Sequence, residues 1–139
     1  MSPLTRKILY AVSFEACGIL VSGLALLVLS DADAAHSFSL SALAATLAML
    51  WSTAFNTGFE AWEARQPQRG RTPRRPALHA VLFEGGLLAV LLPVTAWWLS
   101  VGIWQAVMLE GGLVVVFILY TYAFTWAFDR IVGLPASAR

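Results

Sequence analysis

The chain has 139 residues, of which 59% are hydrophobic and 12% charged, with nine Lys and Arg against eight Asp and Glu. A soluble domain of this length carries about twice that charged fraction, so a water-soluble enzyme and a basic nucleic-acid-binding surface are both excluded. The single cysteine, Cys17, rules out an intrachain disulfide and reads as a packing residue in an apolar run.

Four apolar stretches run in chain order over 8–29, 38–62, 77–99 and 103–128. Each matches the ~20 residues that cross ~30 Å of hydrocarbon as a helix. Span 1 is too long for a signal-peptide core and three more follow it, so it reads as retained. Between spans 2 and 3 lies a Pro- and Arg-rich linker, about 64–76, that breaks helix. Pro93 is expected to kink or open span 3. The fold class predicted is an all-α integral membrane protein. Arg6, Lys7, Arg65, Arg69, Arg71, Arg74, Arg75, Arg130 and Arg139 all fall on one side of this arrangement. The positive-inside rule then places both termini in the cytoplasm. The basic linker also offers a surface to anionic membrane lipid.

The chain is duplicated. Residues 6–15 (RKILYAVSFE) recur 69 positions later as 75–84 (RPALHAVLFE), and 51–60 (WSTAFNTGFE) recur as 120–129 (YTYAFTWAFD). Repeat 1 covers about 6–63 and repeat 2 about 75–130. Each is a helical hairpin, so the copies are parallel in topology and related by a pseudo-two-fold axis along the membrane normal.

The duplication places Glu15 and Glu84 at equal depth inside spans 1 and 3. A carboxyl at membrane depth is costly and reads as functional by default. It can hold a proton or a cation, not both, which is the minimum machinery for exchange. Ala11, Glu15, Gly18, Ser22 and Ala25 share a face that is small except for the glutamate. That face leaves room for a ligand or for a second copy of the chain in a homodimer. The matching face around Glu84 carries Leu87, Leu91 and Val94, so a structural role for Glu84 stands beside a functional one. The bland reading of both glutamates is interhelical hydrogen bonding.

Spans 2 and 4 each carry an aromatic stripe, Trp51, Phe55 and Phe59, and Tyr120, Phe124 and Phe128. Beside each runs a polar one, Ser52, Asn56 and Glu60, and Thr121, Thr125 and Asp129. Aromatic faces near a carboxylate suit a lipophilic cation, and ordinary packing is the alternative for any single ring. Phe14, Trp51, Phe55, Asn56, Phe83, Tyr120, Phe124 and Glu110 are the candidate substrate-lining residues. Glu110, matched by Ser41 in the other copy, either lines a path in the outer half of span 4 or is solvated near the interface. Glu60 and Asp129 are expected to pair with Arg6 and Arg75, or to release protons at the cytoplasmic mouth. His79, opposite Tyr10, is a candidate proton relay. No nucleotide fingerprint, metal-ligand spacing or catalytic constellation is present, so neither a metal, a cofactor nor an enzyme is expected.

These blocks resemble the proteobacterial antimicrobial compound efflux (PACE) family of bacterial transmembrane-pair transporters. Span 1 shares Arg6, Ala11, Phe14 and Glu15 with that family's pattern, and span 2 shares Trp51, Phe55, Asn56, Phe59 and Glu60. Span 3 shares Arg75, His79, Ala80, Phe83, Glu84 and Gly85, and span 4 shares Tyr120, Thr121, Phe124, Trp126 and Asp129. Tyr10, Ser52 and Phe128 depart from it. The resemblance implies proton-coupled export of lipophilic cationic compounds, such as chlorhexidine, dyes or short diamines, across the inner membrane. It further implies a coupling role for Glu15 and dimers in some members. A small-multidrug-resistance-like exchanger and a non-transporting membrane scaffold are the rival readings. The one-sided charge and the duplication oppose the first.

Overall fold

The computed structural model describes residues 1–67 and 74–133. Arg69, Arg71 and Arg139 lie outside them, as do residues 68–73 of the linker. The described residues form four helices: α1 Pro3–Leu29, α2 Ala34–Ala64, α3 Arg74–Leu99 and α4 Ile103–Val132. All four contain a stretch long and apolar enough to cross a membrane. In hydrocarbon every backbone N–H and C=O must find a partner within the chain, and a helix satisfies them locally.

The helices are longer than the apolar runs at the end that carries the termini. Arg6, Lys7, Glu63, Asp129 and Arg130 continue the helical ladder beyond the hydrocarbon stretch. Straight-chain charged residues are good helix formers, and several are held in interhelical pairs. Ser2 caps α1 by accepting the Thr5 N–H at 3.1 Å, with Pro3 in the first turn. The α3–α4 turn is short, with Ser100 in a left-handed conformation (φ 53°) and Gly102 capping α4. Pro93 does not interrupt α3, which is helical throughout to Leu99.

Asp33 caps α2, accepting the His36 backbone N–H at 2.8 Å and meeting its ring Nδ1 at 2.9 Å. These two bonds hold the Asp33 carboxyl below its ordinary value, the backbone bond contributing more. A depressed carboxyl pKa contributes stability that is present at neutral pH. That stability is lost as pH falls through the folded value, below about 3.9. The α2 N-terminus is therefore expected to fray on acidification in the wild type. In Asp33→Asn, which caps without titrating, the protection of the His36 amide against exchange, relative to its intrinsic rate, should stay flat over the same range.

Each helix packs on two neighbours in a ring, α1 on α2 and α4, and α3 on α2 and α4. Helices α1 and α3 thus stand diagonally opposed. The ends of the bundle differ. Nearly all buried side chains, including Ser22, Leu26, Leu40, Ser41, Leu91, Thr95, Leu109 and Glu110, lie in the half nearest the α1–α2 and α3–α4 turns. In that half Ser22 and Ser41 share a hydrogen bond across α1 and α2, and the Ser41 hydroxyl also donates to the Ile19 carbonyl at 2.8 Å. Toward the termini, among the described residues, only the Phe128 side chain is buried to that degree. Cys17 is exposed there rather than packed.

Candidate functional site

Glu15 stands seven and eleven residues before Ser22 and Leu26, and so on the same row of α1. Both are buried, at 8% and 1% exposure. Glu84 stands at the same two intervals before Leu91 and Thr95, which are 8% and 1% exposed. Both glutamates therefore sit on the rows their helices turn inward. Both are nevertheless exposed, together with Ala11 and Ala80 one turn away. The inward rows lose their cover in the terminal half, and the two carboxyls lie where the packed half gives way to the open one.

What holds α1 and α3 there comes from the other copy. The Tyr120 hydroxyl on α4 donates to the Phe14 carbonyl on α1 at 2.7 Å. The Trp51 indole N–H on α2 donates to the Phe83 carbonyl on α3 at 3.1 Å. These bonds are equivalent under the 69-residue offset, and each accepting carbonyl belongs to the residue just before a glutamate. One turn nearer the termini, Tyr10 bonds Thr125 at 2.8 Å, and His79 Nε2 bonds Asn56 Oδ1 at 2.8 Å. At the helix ends Arg6 pairs with Asp129 and donates from Nε to the Gly133 carbonyl at 2.9 Å. Arg75 reaches Glu63 at 3.1 Å, so the acid at that station is one turn beyond the repeat equivalent, Glu60, which is exposed. All these contacts join α1 to α4 or α2 to α3, never the two helices of one hairpin.

The aromatic stripes fill the same two seams. Phe14 packs on Tyr120 and Phe124 with centroids 5.0 and 5.3 Å apart, and Tyr10 meets Phe124 and Phe128 edge-on. Phe83 meets Phe55 at 5.5 Å, and His79 lies edge-on between Phe55 and Phe59. The rings that could face a ligand are also the mortar between repeats, with each other's edges as partners. On the outer flank of the α2–α3 seam, Trp51, Phe55, Phe59, Trp62, Leu78 and Leu82 line a groove of about 440 Å³. That volume is within the range of small-molecule sites.

Glu110 is placed apart from this. It is 7% exposed in the packed half, where the Thr95 hydroxyl, 1% exposed, donates to its Oε1 at 2.7 Å. No ion pair among the described residues includes it.

The chlorhexidine efflux transporter family matches the chain twice, over residues 2–65 and 71–134, one match for each hairpin. The chain belongs to this family. The short-chain diamines transporter of Acinetobacter baylyi is 33% identical over 126 residues, covering 91% of this chain and 89% of that protein. The protein of the same name from Vibrio parahaemolyticus is 32% identical over 132 residues, with the same two coverages. A third, from Acinetobacter baumannii, is 29% identical over 126 residues, covering 91% of this chain and 87% of its own length. No solved structure matches. The protein is a multi-pass transporter of the bacterial inner membrane, not an enzyme.

Two residues with interhelical partners escaped the reading of the sequence. Thr95 and Glu63 carry no repeat signal, because their equivalents are Leu26 and Val132.

Proposed function

We propose that this transporter exports lipophilic cationic compounds across the inner membrane in exchange for protons, with Glu15 as the coupling carboxyl. The observation that carries the reading is an exposed glutamate on an inward row, at the boundary between a packed and an open half. With both termini in the cytoplasm, the open half faces the cytoplasm. Deprotonated Glu15 then receives a cation from that side, and nearby rings take its apolar body. Opening toward the periplasm requires the Ser22–Ser41 and Thr95–Glu110 contacts to part while the terminal half closes. A proton arriving at Glu15 removes the counter-charge and releases the cation. The relatives are named for short-chain diamines and the family for chlorhexidine, and these share two like cationic ends. They set the substrate class proposed here.

Proteoliposomes with an imposed pH gradient test the reading. Chlorhexidine should evoke a change in lumenal pH in the wild type, and Glu15→Gln should reduce it to the level of protein-free vesicles. An amide still makes interhelical hydrogen bonds but exchanges no proton. Proton movement that persists undiminished in Glu15→Gln would assign coupling elsewhere. A wild type that moves no protons would mean that export is not coupled to proton exchange.

A further inference from the structure

We infer that Glu84 is the second half of the site built on Glu15, and that the two carboxyls together select ligands with two cationic ends, each exchanged for two protons. The inference rests on the proton-exchange reading above and extends it to stoichiometry and ligand shape.

The two glutamates share the main features of their setting. They share the 69-residue offset and exposure at the same boundary. The residues seven and eleven positions on are buried to the same extent in both helices. The carbonyl just before each accepts a bond from an aromatic side chain of the other repeat, at 2.7 and 3.1 Å. Because the repeats are parallel, they lie at one depth on opposite sides of the pseudo-two-fold axis. No other carboxyl shares that level: Glu60, Glu63 and Asp129 are at the helix ends, and Glu110 is in the packed half.

Helices α1 and α3 are diagonal in the ring. Neighbouring helix axes lie 8–10 Å apart, which makes the diagonal about 13 Å. A short alkyl chain with a glutamate side chain at each end is long enough to span that distance. A ligand with identical ends meets identical groups whichever way it enters. Each ammonium gains one carboxylate, so no charge is left unpaired at membrane depth. A ligand with one cationic end fills one carboxyl, and the other keeps its proton. The halves are not interchangeable. Glu15 sits beside Gly18, whereas Leu87 holds the matching position beside Glu84. Glu15 thus serves any cation, and Glu84 confers the preference for a second charge.

The balance is explicit. Two carboxylic acids lose two protons to one side and take up one dication. On the other side the dication leaves and two protons return. Net charge movement is zero, as it is for one proton against one monocation.

The test uses the full chain in proteoliposomes, with 1,5-diaminopentane and pentylamine as probes and protein-free vesicles subtracted. The wild type should move two protons per diamine and one per monoamine. Neither rate should respond to a potential set with potassium and valinomycin. Glu84→Gln should move one proton per diamine at a rate that now depends on potential. Its apparent preference for the diamine over the monoamine should fall about tenfold or more, as for the loss of a hydrogen bond to a charged group. A wild-type ratio of one proton per diamine, or a Glu84→Gln protein that keeps two, would overturn the inference while leaving proton exchange intact. A wild type that moves no protons with either amine overturns both. The wild-type ratio and its indifference to potential need no variant, so they decide the matter even where Glu84→Gln fails to insert.

Discussion

Gly86→Leu lowers the midpoint of thermal unfolding in detergent by about 3–9 °C, while Gly85→Leu beside it leaves the midpoint nearly unchanged. Any side chain at position 86 runs into the six-membered ring of Trp51, at Cζ2 and Cη2. Moving the ring aside would break the contacts that seat it. Its N–H is committed to the Phe83 carbonyl at 3.1 Å, and its face leans on Phe55 with centroids 5.5 Å apart. Overpacking of this kind typically costs about 1–3 kcal/mol, which for a chain of this size converts to the stated shift. At Gly85 an added Cβ meets nothing within 4 Å. Transport should fall in Gly86→Leu as well, because Glu84 is two residues away on the segment that Trp51 anchors. Equal midpoints for the two variants would mean that the Trp51 seat is not what holds α3.

Thr95→Val destabilises the protein by about 1–3 kcal/mol, and adding Glu110→Leu restores most of the loss. The first change leaves a carboxyl in the packed half without the hydroxyl that donates to it. A buried polar group deprived of its partner costs its full desolvation, whereas replacing both partners by apolar groups is close to neutral. The interaction energy of the pair itself should be smaller, about 0.6–1.7 kcal/mol, as is usual for hydrogen bonds between membrane helices. A four-protein cycle of wild type, two singles and the double separates these quantities. If the double variant is no more stable than Thr95→Val, the cost comes from lost packing and not from a stranded carboxyl.

The four helices and the duplication were legible in the residues, because apolar runs of span length and an ungapped 69-residue repeat leave little else to build. The helix ends were less so. Hydropathy stops at the hydrocarbon boundary, whereas Arg6, Glu63 and Asp129 carry the helices further through pairs between helices. The inward rows of Glu15 and Glu84 follow from spacing, but their exposure does not. It depends on how far the bundle stays packed along its length, a tertiary property. The crossed partnership of α1 with α4 was also hidden. Periodicity tells which face of a helix is apolar and says nothing about which helix covers it. The choice of Glu63 at the Arg75 station illustrates the same limit. Repeat equivalence points to Glu60, and side-chain reach between two particular helix ends decides otherwise.

The crossed seams bear on how such a chain came to exist. In each copy the glutamate segment is steadied by rings and hydroxyls of the other, so one hairpin alone would be half a scaffold with unfilled partners. An ancestor made of a single hairpin could have worked only as an associated pair, trading helices' outer faces symmetrically. Joining two such genes converts that encounter into an intramolecular one, at an effective concentration set by a short tether. It also frees the copies to diverge. Serine could become glutamate at position 110, and tyrosine could face histidine across the axis, without either change being imposed twice.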